Sequence, residues 1–403
     1  TQQTFHISIP IQENRRFRLA FLVRKQLLLR KETIMKTVSS LLSPRLCSYP
    51  LSLIGHLEDI LFVDIETTGF TARSSCLYLI GAIYFEKDQI HLMQFFAEKK
   101  EEEVDVLKAF LSLCQSHSIL VHYNGNNFDI PYMKQKCAQY HLREPFSHMT
   151  GVDIYKRIMP YKKLLGLENV KQKTVEQFMG IKRDDQYNGG ELIQIYEDYV
   201  KAPLPSDLDL LLLHNADDMK GMFSILPVLT YSDMFTHPFK VVKVQSNKYE
   251  DMNGDTQTEV LMKIRFPFLF PKQITFTGNG CRFRAEENEG YLKVPVVYGS
   301  MKYFYSNYKE YYYLPAEDTA MHKSVAAFVD PQFREPAKAS TCYTRKEGAF
   351  LPQWDIIFSP VFKAEYGDKL CYFELTEAIK RSPAEFGKYA YHILDMLVHG
   401  FAK

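Results

Sequence analysis

The 403 residues leave room for two domains, and a hydrophobic content of 46% is ordinary for a globular chain with a sizeable core. A formal net charge of +1 means that any nucleic-acid surface is a local patch, not a bias of the whole chain. The seven cysteines are scattered and never spaced as Cys-x-x-Cys, which argues against a disulfide framework or zinc ribbon and suits a reducing, cytoplasmic setting. No apolar run is long enough to span a bilayer, so no membrane partner is expected.

Residues 1–34 carry Arg15, Arg16, Arg18, Arg24, Lys25, Arg30 and Lys31 among Phe17, Phe21, Leu22 and Leu27. Such a basic amphipathic segment suits a membrane surface, nucleic acid or a partner. It lacks the uninterrupted apolar stretch of a signal peptide. The plainer reading is an upstream extension ahead of a start at Met35, within an N-terminal segment of 1–50.

Residues 51–235 read as alternating strands and helices. In Leu61-Phe62-Val63-Asp64-Ile65-Glu66-Thr67-Thr68-Gly69-Phe70, apolar Leu61, Val63 and Ile65 alternate with other positions, the period of a strand with one buried face. Asp64 and Glu66 therefore project from the same side. Close carboxylates repel, and a hard divalent cation such as Mg²⁺ relieves them. Strands over 77–85 and 90–97 follow, joined at Glu86-Lys87-Asp88-Gln89. An amphipathic helix comes next, through Val104, Leu107, Phe110, Leu111 and Cys114. A strand over 118–122 leads through Asn124-Gly125-Asn126-Asn127 to a helix start, with Asn127 as N-cap, Pro131 in the first turn and Asp129 beside them.

A long apolar helix over 208–226 is interrupted by His214-Asn215-Ala216-Asp217-Asp218. His214 and Asp218 are four residues apart, hence on one face. A buried carboxylate there needs a partner, and a metal shared with Asp64 and Glu66 would supply one.

The order Asp64-x-Glu66, Asn-Asn-Phe-Asp129, His214-x-x-x-Asp218 resembles the exonuclease motifs of DnaQ-like DEDD nucleases. Within them it is most similar to the YprB-like ribonuclease H-like branch. That likeness extends to Gly151-Val152-Asp153-Ile154-Tyr155, Gly180-Ile181-Lys182-Arg183 and Gly190-Glu191-Leu192-Ile193, over roughly 58–232. The resemblance implies an α/β ribonuclease H-like fold with a mixed five-stranded sheet flanked by helices. It also implies a 3′-5′ exonuclease that uses two divalent ions, Mg²⁺ or Mn²⁺, held by Asp64, Glu66, Asp129 and Asp218. His214 stands at the spacing where the family usually has Tyr, and its implied role is to orient or deprotonate the attacking water. Asp217 is an alternative ligand; Asp218 fits the motif better. Thr67, Thr68 and Asn127 fall where the family contacts the terminal nucleotide, and Asp153 matches a family-like position that is equally well structural.

Residues 236–403 read as a β-rich α+β domain of unknown fold. Strands are expected over 239–245, 259–266 and 274–277, a turn at Asn253-Gly254-Asp255, and a closing helix from Ser382 to Gly400. Tyr303, Phe304, Tyr305, Tyr308, Tyr311 and Tyr312 are interleaved with Lys302 and Lys309, with Lys323, Arg345 and Lys346 further on. Aromatic faces beside cations suit single-stranded nucleic acid, which makes Tyr303, Tyr305 and Tyr308 candidate contacts. Strand-core packing explains most of these tyrosines at least as well.

The resemblance thus implies an exonuclease acting on single-stranded 3′ ends, with DNA the favoured substrate, in DNA repair or nucleic-acid processing. The sequence identifies no helicase or repair partner. The other reading is a non-catalytic nucleic-acid-binding or partner-docking protein on the same fold, and the intact carboxylates weigh against it.

Overall fold

A computed structural model describes residues 35–182 and 189–400. The basic segment of 1–34 and Arg183 lie outside the described residues. The first unit is a mixed sheet of β1 (Lys36–Leu42), β2 (Ile60–Thr67), β3 (Leu77–Glu86), β4 (Gln89–Phe96), β5 (Ile119–His122) and β6 (Thr150–Asp153). Its order is β1-β4-β3-β2-β5-β6, with β2, β5 and β6 mutually parallel and the remaining pairs antiparallel. Six strands, not five, make the sheet. The extra one is β1, drawn from the segment read as an extension: from Met35 on, alternation in Lys36–Leu42 lets it pair along β4. The β3–β4 hairpin turns on Lys87 and Asp88, both at positive φ, as a two-residue connection between twisted strands requires.

The expectation of one buried face on the opening strand is corrected. β2 lies between β3 and β5, and both its faces are covered. Ile60 and Phe62 enter one hydrophobic cluster, while Leu61, Val63 and Ile65 enter another. A central strand in a helix-flanked sheet reads as a near-continuous apolar run for this reason.

Helices α1 (Glu103–Cys114), α2 (Asp129–Gln139), α3 (Ile154–Ile158), α4 (Gln172–Met179), α5 (Gly189–Lys201), α6 (Pro205–Ser224) and α7 (Thr230–Thr236) complete this unit. α1 buries Val106, Leu107, Phe110, Leu111 and Cys114. α6 is continuous through His214–Asp218, because the polar residues there face partners at the sheet. Gly180 ends α4 at φ 79, the left-handed cap a glycine adopts without strain. All seven cysteines are free, and no described helix is long and apolar enough to cross a membrane.

The C-terminal half opens with a three-stranded antiparallel sheet of β7 (Lys240–Glu250), β8 (Thr256–Gly278) and β9 (Cys281–Pro295). The two strands expected at 259–266 and 274–277 are one long β8 whose register shifts between Arg265 and Ile274. Pro267 and Pro271 fall in that interval and cannot donate to a ladder, so the strand continues through irregularities. β10 (Val297–Phe304), β11 (Tyr311–Leu314), β12 (Thr319–His322), α8 (Lys323–Ala326), β13 (Glu335–Pro336), β14 (Tyr343–Gln353) and β15 (Cys371–Glu374) build two small sheets, β10-β14-β15 and β12-β11-β13. α9 (Glu377–Lys380) precedes α10 (Pro383–His399), which is N-capped by Ser382 as its sequence suggests.

The two halves share one core. A single cluster joins Phe62, Val121 and Phe223 to Phe266, Phe283, Leu292 and Ile393. At the junction Tyr231 of α7 stacks on Phe270 at 5.8 Å, and its hydroxyl donates to the Lys272 carbonyl. Burial of this size couples the halves energetically. Phe266→Ala should therefore destabilise the whole chain by about 3–5 kcal/mol. Urea unfolding followed by far-UV circular dichroism and by fluorescence of the sole tryptophan, Trp354, should give coincident transitions; two separated transitions would show independent halves.

Candidate active site

β2 carries Asp64 and Glu66 on the face against which α6 packs. α6 brings His214 and Asp218 to them, one turn apart. The His214 imidazole Nε2 stands 3.1 Å from Asp218 Oδ2 and 3.7 Å from Glu66 Oε1. Ligand atoms of Glu66, His214 and Asp218 all lie within 4.8 Å of one another. Of the two adjacent aspartates, Asp218 is the one in this cluster, whereas Asp217 pairs with Lys220 at 3.4 Å.

Asp129 begins α2, next to the end of β5. Asn127 does not cap that helix: the N-cap position is Phe128, and the Asn127 amide donates to Asn124 Oδ1 at 2.6 Å. The reason is the tight Asn124–Asn127 turn, with Asn124 at φ 61, which moves the helix start one residue on. Pro131 sits in the first turn, as its missing N–H requires.

These carboxyls feel one another. Burial, then the negative charges of Glu66, Asp218 and Asp129, hold the Asp64 carboxyl well above the usual carboxylate range, against the opposing hydrogen bond from Asn215. Burial pushes the Asp129 carboxyl to about 7, although the backbone N–H groups of Asp129 and Ile65 oppose it; Asp153 adds to the rise. A site that resists ionisation in this way, with oxygen donors and one imidazole converging, fits a hard divalent cation.

Thr67 and Thr68 flank the cluster. The Thr67 hydroxyl donates to the Gly69 carbonyl at 2.9 Å, and the Thr68 hydroxyl accepts from Cys76 N–H at 2.8 Å. Both hydroxyls thus shape the loop after β2. The loop is anchored by Lys136, whose ammonium donates to the Ser75 carbonyl and pairs with Glu103 at 2.7 Å. Phe70 projects from this loop at 91% exposure, edge-on to Phe128 with ring centroids 6.1 Å apart.

Asp153 caps α3 by accepting from Lys156 N–H and also accepts from Asn124 N–H. Its carboxylate thereby braces the loop before Asp129. Tyr303, Tyr305 and Tyr308 make their described contacts elsewhere, in the lobe of the two small sheets. Tyr305 stacks on Tyr311 at 4.8 Å, Tyr303 lies edge-on to Tyr305 at 5.1 Å, and Tyr308 packs against Ala320, Ala337 and Cys342. Asn215 was not among the residues expected at the site, yet its amide donates to Asp64 Oδ2 at 3.1 Å. The available signal was an uncharged polar residue, directly after His214, in a helix otherwise lined with leucines.

Residues 61–230 match the profile of the RNase_H superfamily. The chain is similar to YprB of Bacillus subtilis (strain 168), with 29% identity over 185 residues. That alignment covers 44% of each protein, so the chain spans under half the length of this relative. Among solved structures it is similar to the family B DNA polymerase of Pyrobaculum calidifontis, at 12% identity and a TM-score of 0.33 over 62% of this chain and 35% of the other. It is also similar to E. coli exonuclease I in complex with a dT13 oligonucleotide, at 14% identity and a TM-score of 0.26 over 51% and 54%. The match over 61–230 and the strand order of the mixed sheet are those of a ribonuclease H-like fold.

The raised carboxyls give the metal-free protein a signature in pH. A group whose folded pKa lies above its unfolded value costs nothing below the unfolded pKa and its full penalty above the folded one. For Asp129 that window runs from the ordinary carboxylate range to about 7, and Asp64 adds in the same direction. In EDTA, stability should fall as pH rises through this window. The melting temperature gained on adding Mg²⁺ should grow from pH 5 to pH 8, and Asp64→Asn should flatten that growth in calorimetric scans.

Proposed function

We propose, on the premise that residues 61–230 belong to the RNase H superfamily, that this protein is a metal-dependent nuclease removing nucleotides from 3′ ends of single-stranded nucleic acid, DNA foremost. The single observation that carries this reading is the convergence of Asp64, Glu66, Asp129 and Asp218 with His214 on one patch. Binding alone has no use for carboxylates set against each other, because they repel a polyanion.

In this reading Asp64, Glu66, Asp129 and Asp218 hold two divalent ions, Mg²⁺ or Mn²⁺. Bound there, they would supply positive charge to the attacking and leaving oxygens of a phosphodiester. The protein's own part is positional. β2 and α6 fix their carboxylates on regular elements, and burial keeps the site's field strong. His214, whose Nε2 faces the carboxylates of Asp218 and Glu66, is the group this reading assigns to orient the attacking water and, when neutral, to take its proton. The loop of Thr67 to Phe70 borders the site, with its backbone groups and the exposed Phe70 ring available to the last nucleotide. The polarity and the preference for DNA follow from the resemblance of the motifs to DnaQ-like nucleases.

Asp64→Ala should abolish digestion of an end-labelled single strand in Mg²⁺ or Mn²⁺ while far-UV circular dichroism stays unchanged. Activity of that variant, or of the wild type in EDTA, would refute a metal-dependent nuclease. His214→Ala should lower the single-turnover rate strongly and leave Mn²⁺ affinity nearly intact; an unchanged rate would reduce the imidazole to packing.

We infer a second surface for single strands in the tyrosine lobe, where Tyr303, Tyr305 and Tyr308 are half-buried. Tyr305 is the discriminating position, because one face already lies on Tyr311. If the exposed part of its ring stacks on a base, Tyr305→Ala costs roughly 1–3 kcal/mol of single-strand affinity. Unchanged affinity with a lowered melting temperature would assign the ring to the lobe's core.

A further inference from the structure

Three neighbouring strands place Asp64, Gly81 and Gln94 in one row: Asp64 is register partner of Gly81, and Gly81 of Gln94. Register partners point to the same face of a sheet. The middle position has no side chain, and the gap is filled from above by Asn215 of α6. Its Nδ2 donates to Asp64 Oδ2 at 3.1 Å, and its Oδ1 accepts from Gln94 Nε2 at 3.0 Å. Gln94 Nε2 also donates to the Leu212 carbonyl at 2.8 Å. Asn215 is wholly buried and Gln94 nearly so. A Cβ at position 81 would stand 2.3 Å from Asn215 Oδ1 and 2.8 Å from Met219 Cγ.

The orientation of each amide follows from its neighbour. A backbone carbonyl only accepts, so Leu212 fixes the –NH₂ end of Gln94. That –NH₂ requires the oxygen of Asn215, which turns the Asn215 –NH₂ toward Asp64. The chain of constraints ends on one carboxylate oxygen, Asp64 Oδ2. We infer that Asn215 and Gln94 are positioning residues, an amide relay seated over Gly81 that holds the Asp64 carboxylate in the orientation needed to bind a divalent cation. This rests on the proposed nuclease site, and it extends that site to residues that touch neither metal nor substrate. Outer partners of metal-binding carboxylates commonly set affinity by about 10–100-fold.

The test uses the full chain and Mn²⁺ as probe, with affinity read by calorimetry in the absence of nucleic acid. Asn215→Ala should weaken Mn²⁺ binding about 10–100-fold. Gln94→Glu keeps the shape but replaces donor with acceptor, so Asn215 must turn its –NH₂ away from Asp64; Mn²⁺ affinity should fall comparably. Combined with Asn215→Ala, Gln94→Glu should add nothing. In hydrolysis at limiting Mn²⁺, each single variant should lower kcat with KM for the strand unchanged, and excess Mn²⁺ should restore much of the rate. Wild-type Mn²⁺ affinity in folded Asn215→Ala and Gln94→Glu, or additive losses in the double variant, would overturn the relay. A wild type that binds Mn²⁺ yet cleaves nothing would refute the nuclease reading alone, and the affinities would still decide the relay.

Discussion

The constraint on which this structure turns is electrostatic: several carboxyls are held on one patch where water is scarce. Asp64 bears most of it, since burial and three acidic neighbours all disfavour its charge. Repulsion of this kind cannot be relieved by moving apart, because β2 is locked between β3 and β5 and α6 is packed across the sheet. Rigid secondary structure therefore stores the conflict, and a cation is the simplest agent that resolves it. Everything adjacent helps to keep the geometry. The buried Lys136–Glu103 pair ties down the loop after β2, and Asp153 braces the loop before Asp129.

The C-terminal half is joined to the first unit through a common core. α6 runs on through Leu226 and α7 directly into the surface that β8 and α10 cover. The helix that presents His214 and Asp218 is thus gripped at both ends: α5 packs near its start, and the shared cluster holds Met222 and Phe223 near its end. A helix held in this way has little freedom to shift its side chains, which is what preorganised sites need.

Much of this could be read from the chain. Asp64 and Glu66 on one strand face, and His214 and Asp218 on one helix face, follow from periods of two and about 3.6 residues. What escaped was set by tertiary context. Strand β1 was hidden because its alternation is short and its partner, β4, is distant in the chain, with Lys36 opposite Phe96 and Leu42 opposite Ile90. The two-sided burial of β2 depends on neighbours that no local pattern reveals. Asn127 reads as an N-cap by residue type, but the turn at Asn124 shifts the helix start. The tyrosines between 303 and 313 look alike in sequence, whereas the lobe turns several of them onto each other.

The glycine opposite Asp64 has a consequence for how such sequences diverge. Positions 81, 94 and 215 occupy one volume and one set of hydrogen bonds, so they do not vary independently. A methyl group at 81 evicts the amide at 215, and an acid at 94 reverses it. A lineage that leaves this arrangement must change all three together, through intermediates with a poorly held carboxylate at 64. Among homologues the trio should therefore be retained as a block or replaced as a block, and mixed combinations should be rare.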